Sequence, residues 1–322
     1  MRSVESMSIL HLKPVFQERI WGGRKLETEF GYTIPKGPIG ECWGISAHPA
    51  GESVIVGGEY DGKKLSELWN QERSQLFGDY ELNEFPLLIK ILDARDDLSV
   101  QVHPNDEQAG QLEGEPYGKT ECWYILDAEP GAEIILGHYA DTKEEVAGYI
   151  YQGQWEKLLR KMPVKRGDFI FVKSGTVHAI GKGITILETQ QSSDTTYRVY
   201  DYDRKDAAGN LRELHLEKAI AVTNAPDLTD PLALQKQTVE SGETQELISI
   251  PEFTVTHHAI KGTNYKLATQ DRFQLVTVIE GKGTITADGE TTSLKKGDHF
   301  IITRDTEDIT ANGEMEWVTS YM

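Results

Sequence analysis

Two stretches of the sequence, VKRGDFIFVKSGTVHAI at 164–180 and LKKGDHFIITRDTEDIT at 294–310, share one pattern that decides the fold. Each begins with an apolar residue, two basic residues, a glycine and an aspartate, and alternating apolar residues follow. Upstream, ECWYILDAEPGAEI at 121–134 matches QLVTVIEGKGTITA at 274–287. An apolar strand, an acidic turn and a second strand therefore precede the glycine–aspartate element in both copies. This repeat indicates two copies of one β-unit.

The glycine–aspartate turn, the apolar strand after it and a second turn before a histidine resemble the cupin family. That resemblance implies a mainly β fold of two cupin-like β-barrels, each a double-stranded β-helix, with a small helical portion. The helical portion is predicted at about 64–78, where GKKLSELWNQERSQLFG has apolar residues at helical spacing and Ser66 as N-cap, and at about 142–162.

A polar stretch at 205–240 contains prolines and a predicted short helix near ELHLEKAIAVTN. It predicts the boundary between an N-terminal metal-binding cupin domain at 1–235 and a C-terminal cupin-like barrel at 236–322. The second barrel lacks metal ligands, because Asp308 stands where the first copy has His178. The alternative is that both barrels are structural copies.

Composition limits the function classes. The chain has 322 residues and a formal net charge of −19, which repels nucleic acid and anionic lipid, so neither is expected as a partner. The sequence contains no run of about 18 apolar residues, so no membrane span is predicted. The N-terminal stretch has no apolar core and no cleavage site typical of a secretory signal. Two cysteines do not make a disulfide framework, and we therefore expect a cytoplasmic protein with free thiols.

Four side chains can converge on a metal ion in such a barrel. Gln101 and His103 lie two residues apart, so a strand projects both to one face. Glu121 begins the next strand, and His178 follows the glycine–aspartate element. Two imidazoles, one carboxylate and one amide suit zinc, with an open position left for substrate. The competing interpretation is that each histidine is an ordinary hydrogen-bonded strand residue.

Other polar residues are candidates for the chemistry. Glu188 ends the apolar strand GITILETQQ and is either a pocket carboxylate or part of a polar rim. Arg198 has a guanidinium that suits phosphate or a developing enediolate, or it makes a surface ion pair with Asp201 or Asp203. Lys90 lies inside LLIKIL and is either a cationic site group or a snorkelling edge residue. His48, in GISAHP, is a weak candidate alone.

Longer motifs carry a more specific resemblance. LSVQVHP at 98–104, GKTECWYIL at 118–126 and GTVHAIGKGITILETQQSSDTTYRVYDYDR at 175–204 resemble the type I mannose-6-phosphate isomerases, and ECWGISAHP at 41–49 matches an early motif of that family. The resemblance covers most of 15–204. It is to the short bacterial form, because no large helical insertion separates Glu121 from His178.

The resemblance implies an aldose–ketose isomerase that interconverts mannose 6-phosphate and fructose 6-phosphate through a cis-enediol. It also implies roles for ten residues: one Zn²⁺ per chain bound by Gln101, His103, Glu121 and His178, the substrate phosphate near Ser99 and Lys119, and catalysis by His48, Lys90, Glu188 and Arg198. The proton-transfer base stays open among His48, Glu188 and a zinc-organised water.

Two other functions remain as alternatives. One is a cupin dioxygenase with iron at the same cluster, and the other is a non-catalytic sugar-phosphate-binding module. The expected partner is a small sugar phosphate, and the oligomeric state is open between monomer and homodimer.

Overall fold

The computed structural model describes residues 8–206, 208–228, 235–239, 241–268 and 271–322. Within these residues the chain is mainly β, as predicted. The strands are β1 (Ile9–Lys13), β2 (Val15–Gly23), β3 (Ile39–Ile45), β4 (Val54–Val56), β5 (Leu87–Ala94), β6 (Val100–Val102), β7 (Glu121–Ala128), β8 (Glu133–His138), β9 (Leu159–Pro163), β10 (Phe169–Val172), β11 (His178–Ile180), β12 (Ile184–Gln191), β13 (Tyr197–Tyr200), β14 (Gln235–Val239), β15 (Gly242–Ser249), β16 (Thr254–Lys266), β17 (Gln274–Ala287), β18 (Glu290–Lys295), β19 (His299–Ile302) and β20 (Thr310–Tyr321).

Short helices connect these strands. They are α1 (Lys25–Thr28), α2 (Leu65–Gln71), α3 (Arg73–Leu76), α4 (Asp106–Glu113), α5 (Lys143–Tyr151), α6 (Trp155–Leu158) and α7 (Leu216–Val222). The helical segments predicted at 64–78 and 142–162 are confirmed, although β9 takes the last residues of the second. The N-cap prediction was wrong: Lys64 occupies the N-cap position and its backbone N–H donates to Glu67, while the Ser66 hydroxyl donates to Glu52. No helix of the described chain is long and apolar enough to cross a membrane.

Three sheets make up the fold. The nine-stranded sheet runs β14-β15-β16-β20-β17-β19-β1-β4, with β18 beside β17. The six-stranded sheet runs β10-β7-β12-β5-β2-β3, with an additional β5–β3 pairing, and the five-stranded sheet runs β13-β6-β11-β8-β9. In the described part of the chain none of these sheets closes on itself. The pairing among the described residues therefore shows open sheets and not closed barrels, because strands such as β10, β13 and β14 pair on one side only.

The internal repeat is confirmed at atomic level. Lys165 N–H donates to the Asp168 carboxylate at 2.9 Å, and Lys295 N–H donates to Asp298 at 2.8 Å. The glycine of each turn has a positive φ, 88° in the first copy and 89° in the second, which a residue with a Cβ rarely adopts. The same turn chemistry therefore begins β10 and β19.

The repeat also extends to strand register. Val172 on β10 lies opposite Glu121 on β7, and Ile302 on β19 lies opposite Gln274 on β17. Glu121 and Gln274 therefore occupy matched positions, as the alignment predicted. The second copy has an amide where the first has a carboxylate.

The N-terminal strand β1 pairs with a strand from the other side of the predicted domain boundary. β1 pairs with both β19 and β4, so residues from the start of the chain complete the nine-stranded sheet. One apolar core spans this junction, where Trp69, Phe77 and Phe85 pack edge-on or tilted against Phe273. The boundary near residue 235 stays a prediction.

Two buried histidines make stability depend on pH. Burial lowers the pKa of both His258 and His299 to about 3. Below about pH 6.5 the unfolded chain binds protons that the folded chain does not, so stability falls as pH falls, by about 1.4 kcal/mol per pH unit for each histidine. In His258→Gln, where the amide can still bond Tyr265 and Thr319, we expect a slope shallower by that amount between pH 6 and 4. Denaturant unfolding at several pH values measures it, and an unchanged slope would contradict a neutral His258.

Candidate active site

One row of side chains crosses four adjacent strands of the six-stranded sheet. Trp43 on β3 lies opposite Lys90 on β5, Lys90 opposite Glu188 on β12, and Glu188 opposite Trp123 on β7. Side chains directly opposed on neighbouring strands share one face of a sheet. A buried lysine and a buried glutamate therefore lie between two tryptophans on the face that carries Glu121.

The five-stranded sheet contributes a second row. Arg198 on β13 lies opposite Gln101 on β6, and Gln101 lies opposite His178 on β11. The two rows meet through Glu121, because its Oε1 lies 3.4 Å from His178 Nε2. The strand pairing therefore explains how residues almost 80 positions apart in sequence come together.

The predicted ligands converge. His103, Glu121 and His178 each offer one ligand atom, and these atoms all lie within 4.8 Å of one another. The Nε2 of His103 lies 3.6 Å from Glu121 Oε2, and the side-chain amide nitrogen of Gln101 lies 3.4 Å from His178 Nε2. The histidines are 1% exposed and the glutamate is inaccessible to solvent. These four residues form the ligand cluster.

Both histidines are held in the tautomer that a metal ion needs. Nδ1–H of His103 donates to the Thr195 carbonyl at 2.9 Å, and Nδ1–H of His178 donates to the Thr176 carbonyl at 2.8 Å. Each ring therefore turns an Nε2 lone pair towards Glu121. Burial lowers the pKa of His103 well below its ordinary value and that of His178 to about 4, so both imidazoles stay neutral. This donor set fits a divalent ion such as zinc.

Lys119 lies inside the ligand cluster. Its ammonium donates to Glu121 Oε2 at 2.6 Å and lies 3.1 Å from His103 Nε2. Burial alone would lower the pKa of Lys119, but the Glu121 and Glu188 carboxylates raise it above its ordinary value. Ser99 is also buried and directly precedes β6, two residues before Gln101.

A chain of buried charges leads away from the cluster. Lys90 Nζ lies 3.7 Å from Glu188 and 4.0 Å from Glu41, over the ring of Trp43. Burial and the Glu121 charge raise the pKa of Glu188. Burial would also raise the pKa of Glu41, but the charges of Lys90 and Arg19 lower it. Lys90 is therefore buried and not a snorkelling edge residue, and Glu188 lies in the buried row and not on a polar rim, while their roles in the reaction stay predictions.

The sequence interpretation assigned no role to Glu41 or to the two tryptophans of the row. A signal for them was present, because the tripeptide Glu-Cys-Trp occurs at both 41–43 and 121–123. In each copy the indole N–H donates to the glutamate two residues earlier, at 2.6 Å and 3.1 Å. The helix α4, between His103 and Glu121, was also missed, although Asn105 and Gln108 form a capping box at its start.

Arg198 and His48 lie at the edges of the site. Arg198 is half-buried, its Nη1 donates to the Glu213 carbonyl at 2.8 Å, and its Nε is without a partner among the described residues. The alternative ion pair with Asp201 is absent from the described contacts, since Arg204 and Arg212 hold that carboxylate. The His48 ring makes a roughly perpendicular contact with the ring of Trp43, and its Nδ1 accepts a backbone hydrogen bond from Ala50.

A sizeable cavity of the described chain lies away from this site. It has a volume of about 700 Å³ and lies against the five-stranded sheet beside Trp155. Its lining includes Ala179, whose side chain points away from the face that carries His178, because neighbouring strand residues alternate faces. The chemistry of the donor groups, and not cavity size, therefore identifies the candidate site.

The buried lysine gives a stability prediction. Lys90→Met removes the ammonium and leaves Glu41 and Glu188 buried without it, which is expected to cost about 3–5 kcal/mol. Lys218→Met is the matched control, because its pair with Glu113 is partly exposed and should be worth less than about 1 kcal/mol. Denaturant unfolding of both variants provides the measurement. Equal losses would show that Lys90 does not stabilise the two carboxylates.

Taken together, the fold and the ligand cluster define a mainly β protein with a buried site able to hold a divalent metal ion. Comparison with known proteins identifies the family within this class. The family model for the type I phosphomannose isomerase catalytic domain matches residues 9–140, and the mannose-6-phosphate isomerase cupin domain matches residues 243–322.

Individual relatives match over nearly the whole chain. The mannose-6-phosphate isomerase ManA of Bacillus subtilis is 51% identical over 97% of this chain and 98% of its own length. The mannose-6-phosphate isomerase of Streptococcus mutans is 50% identical, also over 97% of this chain and 98% of its own length. A crystal structure of the Bacillus subtilis mannose 6-phosphate isomerase superposes with a TM-score of 0.95 at 45% identity, covering 98% of this chain and 100% of the other. The chain belongs to the type I mannose-6-phosphate isomerase family.

Proposed function

We propose that this chain is a mannose-6-phosphate isomerase that interconverts mannose 6-phosphate and fructose 6-phosphate through a cis-enediol. The observation that carries the proposal is the convergence of His103, Glu121 and His178, with both Nε2 lone pairs turned inward, in a chain about half identical to mannose-6-phosphate isomerases. The comparisons support neither the dioxygenase nor the non-catalytic binding module.

The ligand cluster is proposed to hold one Zn²⁺ per chain. Two neutral imidazoles and a carboxylate would bind it, and the Gln101 amide would present its oxygen after rotation of the side chain. When bound, zinc supplies a Lewis acid for the sugar oxygen that becomes negative in the enediol. The Nδ1 hydrogen bonds of the histidines fix the ring orientation that this binding requires.

The remaining site residues are proposed to bind the sugar and move its proton. The Arg198 guanidinium lies in the same row as Gln101 and would stabilise the enediolate oxygen. Glu188 is the better-placed side-chain base, because it shares the Trp123 N–H with Glu121 and has a raised pKa from burial and the Glu121 charge, whereas the described ring contacts of His48 are with Trp43 and Ala50. Lys90 would hold Glu188 in place.

Ser99 and Lys119 remain the proposed substrate-binding residues. Lys119 is bonded to two members of the ligand cluster, so contact with the phosphate would require its ammonium to leave Glu121. We further propose two cupin-type double-stranded β-helices divided near residue 235, a cytoplasmic location, and a monomer or homodimer that does not bind nucleic acid or membrane.

The direct test is an isomerase assay of the purified protein with mannose 6-phosphate. Treatment with a chelator is expected to abolish the formation of fructose 6-phosphate, and one equivalent of Zn²⁺ per chain is expected to restore it. Iron should restore less, and no oxygen should be consumed. Binding of mannose 6-phosphate without turnover in any metal state would overturn the isomerase proposal and favour a binding module.

A further inference from the structure

The two Glu-Cys-Trp tripeptides occupy equivalent places around the buried charges. Trp43 and Trp123 end the row that runs through Lys90 and Glu188, and each cysteine points into the core on the opposite face. Trp43 N–H donates to one carboxylate, that of Glu41, at 2.6 Å. The Trp123 indole differs, because its single N–H lies within hydrogen-bond distance of two carboxylates.

Trp123 Nε1 is 3.1 Å from Glu121 Oε1 and 3.2 Å from Glu188 Oε2. Two buried carboxylates repel each other, and a donor aimed at both lowers the energy of holding them close. The indole N–H therefore lies between Glu121, a proposed metal ligand, and Glu188, the proposed base.

The ring itself cannot move easily. Trp123 is inaccessible to solvent and packs in an apolar cluster with Ile125, Ile170 and Ile186. Its ring also makes an edge contact with the imidazole of His178, at 5.5 Å between centroids. Trp123 thus contacts two members of the ligand cluster as well as Glu188.

We infer that Trp123 is a positioning residue for the reaction, whose indole N–H sets the orientation of the Glu121 carboxylate towards the metal ion and of the Glu188 carboxylate towards the substrate. This inference rests on the proposed metal site and on the proposed role of Glu188. Hydrogen-bond partners of metal ligands typically change metal affinity or activity about 10–100-fold when removed.

The test compares Trp123→Phe with Trp317→Phe. Trp317 is equally buried, but its Nε1 makes no hydrogen bond to any described residue, so that variant reports the loss of ring volume alone. Zinc affinity by chelator competition, kcat and KM are measured for both variants and the unmodified protein. For Trp123→Phe we expect zinc affinity and kcat to fall about 10–100-fold with KM changed less than about threefold. Trp317→Phe should keep all three values within about threefold of the unmodified protein's.

A volume-matched substitution keeps the test decisive should Trp123→Phe fold poorly. Replacing Trp123 by 3-benzothienylalanine keeps the bicyclic ring but has sulfur in place of N–H, so only the donor is lost. The same fall in zinc affinity and kcat is expected. Values equal to those of the unmodified protein would overturn the inference. If the unmodified protein and Trp317→Phe both bind no zinc, the proposed metal site fails instead.

Discussion

His178→Ala is expected to remove zinc binding and to lower isomerase activity by more than about 10³-fold, because the ligand cluster is left without one of its two imidazoles. His178 is 1% exposed, its Nδ1–H is held by the Thr176 carbonyl, and its Nε2 lies 3.4 Å from the Glu121 carboxylate. Among the described residues, no further imidazole joins this group to replace it. The measurements are zinc content after dialysis and turnover of mannose 6-phosphate.

A matched control comes from the other half of the molecule. His258 is also buried and hydrogen-bonded through both ring nitrogens, but its partners are the hydroxyl groups of Tyr265 and Thr319. His258→Gln should keep one zinc ion per chain and full activity. If His178→Ala keeps zinc and at least a tenth of the activity, the proposed ligand cluster is wrong.

Arg198→Ala is expected to lower kcat by about 10²–10³-fold, the usual effect of removing a donor that stabilises a developing oxyanion. Zinc content should be unchanged, because Arg198 lies beside Gln101 and is not a ligand. Its Nε is buried without a partner among the described residues, and its Nη1 donates to the Glu213 carbonyl. Arg198→Lys should recover only part of the loss, because an ammonium lacks the planar fork.

Arg212→Ala is the control for Arg198. Arg212 is a neighbouring arginine whose guanidinium is bound to Asp201, a carboxylate that Arg204 also holds. Its loss should change kcat less than about threefold. Loss of zinc from Arg198→Ala would make that residue structural, and equal kcat values for the two variants would place it outside the reaction.

Local patterns in the sequence predicted the parts of the fold that depend on local chemistry. The glycine–aspartate turns form because four consecutive residues supply both a glycine, which adopts a positive φ, and an aspartate, whose short side chain accepts a backbone hydrogen bond. Gln101 and His103 share a face because strand residues alternate. Helices were found at 64–78 and 142–162 by apolar spacing, whereas α4 was missed because it buries only Ala109 and has little apolar periodicity.

Long-range pairing was not predictable in the same way. Nothing in ILHLK at 9–13 indicates that this strand pairs with β19, since edge pairing depends on what the whole chain leaves exposed. The position of Lys119 shows the same limit. A match to family motifs placed it near the phosphate, and only the packed structure shows its ammonium between Glu121 and His103.

The pairing of β1 with β19 has a consequence for how the protein is made. Ile9 leaves the ribosome about 290 residues before its partner Ile302. At roughly 5–20 residues per second, that interval is some tens of seconds. During synthesis the edge of β1 that pairs with β19 must wait with its hydrogen-bonding groups unpaired, although β4 can already pair with the other edge, and the nine-stranded sheet is completed only after translation is nearly finished. Nascent chains of this protein are therefore expected to need protection against association until their last strands emerge.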